Sequence, residues 1–194
     1  TLAIRERLPV IIDFRGESEQ VASVLLNGRK VPYTVKDEHI VIDTREVANG
    51  ENRVTIEFTA NDQSLNRRDE FLYTLLVPDR ARTLFPCFDQ PDMKSLFTLS
   101  LEVPSSWQAV TNGAVEQVDS TSVARRKRIS FRETEPLSTY LFSFVAGKLT
   151  RETYSRDGRN ISIYHRETDP KKVAQCSDIA SEVFDALEWQ EEYT

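Results

Sequence analysis

The chain has 194 residues, with 25 Lys and Arg against 31 Asp and Glu, for a net charge of −6. That balance leaves no clustered positive charge to neutralise a nucleic-acid backbone, and no apolar run approaches the ~18 residues of a membrane span. Two cysteines exclude a disulfide framework, and two histidines leave little for metal chemistry.

The chain opens at Thr1 almost directly into strand-like sequence, without a basic–apolar–small-residue leader. We read it as a trimmed piece that lacks its first strands. From there the dominant period is two. Val10, Ile12 and Phe14 alternate with Ile11 and Asp13, and Val54, Ile56 and Phe58 alternate with Thr55 and Glu57. Phe97, Leu99, Leu101 and Val103 alternate with Thr98, Ser100 and Glu102. Each pattern puts one apolar face on a core and one polar face toward water. Further strands are predicted at 21–26, 30–35, 39–43, 71–77, 107–111, 128–132, 140–145 and 160–165.

Four of the six glycines follow Asn or Asp, at Asn27-Gly28, Asn49-Gly50, Asn112-Gly113 and Asp157-Gly158. Such pairs supply the positive φ of tight hairpins. Short strands separated by these turns predict an all-β fold, a large antiparallel saddle-shaped sandwich. A parallel α/β fold is excluded because helices do not alternate with the strands.

One amphipathic helix closes the chain. Asp169-Pro170 reads as an N-cap with Pro at the first helical position. Val173, Cys176, Ile179, Ala180, Val183, Phe184 and Leu187 then recur at steps of three and four. The stripe needs cover. It could lie on the preceding domain; we favour the first helix of a domain that continues past Thr194. The expected organisation is a β-rich domain over residues 1–167 and the start of a second domain over 168–194.

Catalytic constellations are absent from the pattern. His39 and His165 are far apart and form no His-Glu-x-x-His motif. Cys87 and Cys176 read as buried thiols. There is no Gly-rich phosphate loop and no Gly-x-Ser-x-Gly elbow. Asp89 and Asp92 sit in a turn, where turn hydrogen bonds account for them. The basic run Arg125-Arg126-Lys127-Arg128 reads as a strand edge guarded by charge, and Trp107 and Trp189 read as packing residues.

The segment from Phe71 to Phe97 is different. Pro78, Pro86 and Pro91 fix φ at three places, and Phe85 and Phe88 can anchor it to a core. A stiff, aromatic-anchored loop between strands is one way a scaffold presents a recognition edge.

Within it, Arg82-Thr83-Leu84-Phe85-Pro86-Cys87-Phe88-Asp89-Gln90-Pro91-Asp92 closely resembles the signature of the N-terminal domain of zinc aminopeptidases of the aminopeptidase N family (gluzincins). The Phe-Pro-Cys-Phe-Asp-x-Pro core is intact. Asn112-Gly113 after Trp107, Leu137-Ser138-Thr139-Tyr140-Leu141 and Phe144-Val145-Ala146-Gly147 resemble later strands and hairpins of that domain. The likeness covers most of the chain and is weakest before about Phe58.

The resemblance implies a saddle-shaped β platform followed by a thermolysin-like catalytic domain, which the helix after Pro170 would begin. It implies zinc as the cofactor of the parent protein, none bound by this segment, and no catalytic residue or metal ligand here. Implied partners are peptide substrates of the full-length enzyme and its own catalytic domain, not nucleic acid. In many family members the loop before the signature supplies an anchoring Gln-x-Glu for the substrate's free amine. Those positions are Leu75 and Val77 here, so this sequence departs from the pattern. Substrate contact is therefore expected from Leu75, Val77 and Pro78 as an apolar wall that favours Leu, Met or Phe side chains. The family's cis peptide after the anchoring Glu maps onto Val77–Pro78, where proline makes cis accessible. A runner-up reading is a non-catalytic relative whose platform is a protein-interaction scaffold. A carbohydrate- or protein-binding sandwich module comes last, because it leaves the signature unexplained.

Overall fold

The computed structural model describes residues 1–6, 8–121 and 123–193; Arg7, Ser122 and Thr194 lie outside the described residues. Seventeen strands and a C-terminal helical segment are described. The first ten are β1 (Leu2–Ile4), β2 (Val10–Asp13), β3 (Val21–Leu26), β4 (Arg29–Lys30), β5 (Tyr33–Lys36), β6 (His39–Ile42), β7 (Gly50–Asn52), β8 (Val54–Phe58), β9 (Leu65–Arg67) and β10 (Phe71–Thr74). The rest are β11 (Ser100–Pro104), β12 (Gln108–Thr111), β13 (Val115–Ser120), β14 (Arg126–Phe131), β15 (Phe144–Gly147), β16 (Thr150–Arg156) and β17 (Arg159–His165). Two helices follow, α1 (Pro170–Val173) and α2 (Cys176–Tyr193). This is the expected all-β architecture with one helical C-terminus.

The chain divides into two compact units. The larger comprises residues 1–105 and 109–146. In it the sheets β2-β6-β5 and β4-β3-β8 share a core of Val10, Ile12, Phe14, Val24, Ile40 and Ile42. The pairing Val10↔Ile42 and Ile12↔Ile40 sets these side chains on one face. A second core, of Leu65, Leu76, Ala81, Leu84 and Phe142, lies under the sheet β12-β15-β10-β9.

Turn chemistry works as expected at Asn27-Gly28 (φ 52° and 80°) and Asp157-Gly158 (φ 49° and 78°). The β5–β6 turn reaches the same conformation at Asp37 and Glu38 (φ 51° and 64°), without glycine. Gly113 departs from expectation. It has no positive φ; instead a Cβ there would meet the Arg132 carbonyl oxygen at 2.2 Å.

Several other expectations are corrected. The basic run is not at an edge: β14 is the central strand of β11-β14-β13. Arg126 and Arg128 are drawn onto Glu102 of β11, at 2.9 and 3.7 Å. The expected strand 30–35 breaks into β4 and β5 around Pro32, which has no N–H for a ladder. The strand expected over 140–145 begins only at Phe144, because Thr139–Leu141 forms a 3₁₀ turn. Trp189 is 64 % exposed and stacks on Tyr193 instead of packing in a core.

The smaller unit comprises residues 106–108 and 147–194. Its β16–β17 hairpin packs against α2, which buries Cys176, Ala180 and Phe184 at four-residue steps. Asp169 caps α1, accepting from the Lys171 amide at 2.9 Å. Arg156 lies over the Phe184 ring, 4.7 Å from its centroid, and reaches Asp185 at 2.8 Å and Glu188 at 3.2 Å. Arg159 grips Glu191 with both terminal nitrogens, at 2.8 and 2.6 Å. Of the rest of the expected stripe, Val173 is half-buried and Ile179, Val183 and Leu187 are exposed.

Candidate functional site

Strand β10 delivers the candidate loop. Along it the side chains alternate: Thr74 and Leu76 are buried, whereas Tyr73, Leu75 and Val77 are 40, 52 and 53 % exposed. Leu76 enters the second core. The strand expected through Val77 stops at Thr74, since the backbone turns where the Leu76 carbonyl accepts the Arg80 amide at 2.9 Å. The Val77–Pro78 peptide is cis, as expected, and Pro78 is exposed.

The loop is tied at both ends. The Leu75 amide donates to the Ser64 carbonyl at 3.0 Å, and the Arg80 guanidinium to the Gln63 carbonyl at 2.9 Å. Thr83 Oγ1 is 2.7 Å from both the Arg80 carbonyl and Ser64 Oγ. With one proton to give, it donates to the carbonyl and accepts from Ser64.

Behind the loop, the Arg82–Asp92 segment is a structural splice. The Asp89 side chain is 2 % exposed. Its Oδ1 accepts from Thr139 Oγ1 at 2.6 Å, and its Oδ2 from the Arg82 amide at 3.0 Å and guanidinium at 3.3 Å. Asp13, at the end of β2, accepts from the Asp89 amide at 2.8 Å and Gln90 Nε2 at 2.9 Å, and meets His39 Nε2 at 3.2 Å. Asp13 and Cys87 exchange backbone hydrogen bonds of 2.8 and 3.0 Å. Ser138 donates to the Pro91 carbonyl. The segment thus joins β2 to the 3₁₀ turn at residues 139–141.

The electrostatics fit a structural role. Burial, reinforced by the negative charges of Asp89 and Asp13, pushes the Cys87 thiol well up, so Cys87 is neutral and a poor nucleophile near pH 7. Burial weakens the charge of Arg82, but Asp79, Glu38 and Asp89 outweigh that and raise its pKa. Cys176 is a buried thiol in the smaller unit. There His165 Nδ1 accepts from the Glu167 amide at 3.2 Å, and its Nε2 stands 3.9 Å from Glu152. Asp92 is exposed.

Among the described residues, no three His, Cys, Asp or Glu side chains come together to hold a metal ion, and no helix is long and apolar enough to cross a membrane. The structure therefore brings Leu75, Val77 and Pro78 together on one rigid exposed loop. Sequence reasoning missed Ser64, which holds that loop's base, and Asp13 and Thr139, which hold the Arg82–Asp92 segment. Asp13 had a signal, as the one charge inside an apolar run, and Thr139 stood in the Leu137–Leu141 stretch that resembles the family; Ser64 had none.

A family model described as the peptidase M1 N-terminal domain matches residues 12–141. Over 96 residues the chain is 38 % identical to Probable M1 family aminopeptidase 2 of Encephalitozoon cuniculi, covering 49 % of this chain and 11 % of that protein. Over 153 residues it is 31 % identical to Aminopeptidase M1-A of Oryza sativa subsp. japonica, covering 72 % of this chain and 17 % of that one. Among solved structures, an M1 zinc metallopeptidase from Deinococcus radiodurans aligns with a TM-score of 0.60 at 19 % identity, covering 80 % of this chain and 38 % of that chain. That identity carries a likeness of fold. The chain spans only 11 and 17 % of the length of the two curated relatives.

Proposed function

The chain belongs to the peptidase M1 N-terminal domain family, and from that premise we propose that it is the non-catalytic amino-terminal segment of a zinc metallo-aminopeptidase that removes N-terminal residues from peptides. In this reading the loop of Leu75, Val77 and Pro78 is one wall of the substrate cleft. Among the described residues, no three His, Cys, Asp or Glu side chains gather into a zinc site. The metal would be bound by the rest of the parent, and this chain's part is to bind and orient.

One observation carries the wall: two aliphatic side chains stand half-exposed at the end of β10 on a loop fixed by its backbone and by the splice behind it. Exposed apolar groups on a rigid edge contribute by shedding water against another apolar group. They have no acceptor for an ammonium, which stays costly to desolvate without one. The substrate's amine would accordingly be held by carboxylates of the catalytic domain, while Leu75 and Val77 select Leu, Met or Phe as the first side chain. Residues 168–194 would open that catalytic domain, and the exposed Ile179, Val183 and Leu187 are a face for it to cover.

Kinetics of the full-length protein test the wall. Val77→Glu is expected to lower KM for substrates with a free amine and to reduce the preference for Leu, Met and Phe. Unchanged affinity and unchanged preference would remove Val77 from the cleft. A second reading, a non-catalytic scaffold, is favoured by the apolar residues at both anchoring positions. It predicts a parent protein with neither zinc nor hydrolysis.

A further inference from the structure

Between the end of β10 at Thr74 and the 3₁₀ turn Ala81–Thr83, the candidate loop has no strand partner or helix of its own. Leu76 is buried and pins it to the second core. One packed side chain fixes a point of a chain and not its direction. Leu75 and Val77, on either side of that point, belong to neither core. The direction in which they stand is therefore set by where the loop's backbone groups are tied.

Those ties converge on two buried hydroxyls, Ser64 at 1 % and Thr83 at 3 % exposure. The Arg80 carbonyl accepts both the Thr83 amide at 3.1 Å and Thr83 Oγ1 at 2.7 Å, so both its lone pairs are used. Ser64 then passes its proton to Thr83 Oγ1 at 2.7 Å, while its own carbonyl takes the Leu75 amide at 3.0 Å. Ser64 thus serves the entry of the loop through its backbone and the exit through its side chain. Each hydroxyl has one proton and gives it to the next acceptor, and a buried group that loses such a partner has no water to replace it.

We propose, resting on the cleft-wall reading above, that Ser64 and Thr83 are positioning residues for substrate selection. By linking the Arg80 carbonyl to the residue that holds the Leu75 amide, they fix the wall that meets the first side chain. Apolar selection depends on close contact, and a gap of about 0.5–1 Å already forfeits a quarter to a half of the attraction between two groups. A loop free to shift by that much would still be apolar but would discriminate poorly. Thr83 follows Arg82, whose amide is held by the buried Asp89 carboxylate, so the start of the signature segment carries a part in selectivity.

The test uses the full-length enzyme and the ratio of kcat/KM for leucyl over alanyl chromogenic amides. That ratio does not depend on how much of the enzyme is folded, so lost stability alone leaves it unmoved. The wild type is expected to favour Leu by about tenfold or more, the scale of a few methylenes in an apolar site. Thr83→Val keeps the shape of the side chain and removes the hydroxyl. It is expected to shrink the ratio by about threefold or more, with the loss in KM for the leucyl amide, and Thr83→Ser to stay within about twofold of the wild type. Ser64→Ala is expected to shrink the ratio in the wild type and to add nothing in Thr83→Val, where the acceptor of its proton is gone. A ratio unmoved by Thr83→Val, or by Ser64→Ala where Thr83→Val does not fold, overturns the proposal, as does a loss shared equally by Thr83→Ser. The double variant Leu75→Ala, Val77→Ala tests the wall by itself. If it collapses the ratio while the hydroxyl variants do not, the wall stands and the positioning role falls. If the ratio survives it, or the wild type cleaves neither amide, the cleft-wall reading falls and the positioning role with it.

Discussion

Asp89 shows what the signature segment does. One buried carboxylate takes hydrogen bonds from Thr139 and from both the amide and the guanidinium of Arg82, while its own amide is taken by Asp13. Two carboxylates in series thus fix the chain direction on either side of Cys87. Removing the first would strand a buried hydroxyl and leave Arg82 short of a counter-charge. Asp89→Ala is expected to destabilise the larger unit by about 2–4 kcal/mol, measured by urea unfolding. A change under about 0.5 kcal/mol, the level of an ordinary surface substitution, would contradict the structural role. Leu75 and Val77 lie at the other extreme. They are 52 and 53 % exposed and belong to neither core, and we propose that their side chains contact substrate.

Among the elements, α2 shows how a helical period is divided. Phe184 is 4 % exposed and lies under Arg156, whereas Ile179 on the adjacent stripe is 49 % exposed. Phe184→Ala is expected to cost about 3–5 kcal/mol and Ile179→Ala no more than about 0.5 kcal/mol, read from chemical denaturation of the 194-residue chain. Equal costs would mean that the hairpin does not cover the helix as described.

Legibility also varied by element. The strands Val54–Phe58 and Val10–Asp13 were readable because apolar side chains alternate along them. Two missed strands lack that code. In β16, Glu152, Tyr154 and Arg156 are the half-buried side chains, and long polar side chains cover a surface with their stems while reading as polar. All six residues of β13 are exposed, so no face is selected. Tyr140-Leu141 has strand-like composition but forms a 3₁₀ turn, because the hydroxyls of Ser138 and Thr139 are committed to Pro91 and Asp89. At the candidate site the loop was legible through its prolines and its family signature. The supports of the loop at Ser64, and of the Arg82–Asp92 segment at Asp13 and Thr139, are non-local hydrogen bonds, which leave no local period.

For the whole molecule, the described parts divide labour in a consistent way. Two cores and a spliced signature segment support β10 and the loop after it, where Tyr73, Leu75 and Val77 are exposed. No cluster of metal-binding side chains occurs among the described residues. The most direct test is zinc content of the full-length protein together with hydrolysis of a panel of aminoacyl chromogenic amides. The account predicts about one zinc per chain and chelator-sensitive hydrolysis that favours Leu, Met and Phe. A full-length protein with no zinc and no hydrolysis would contradict it, and would turn the search from substrates to binding partners.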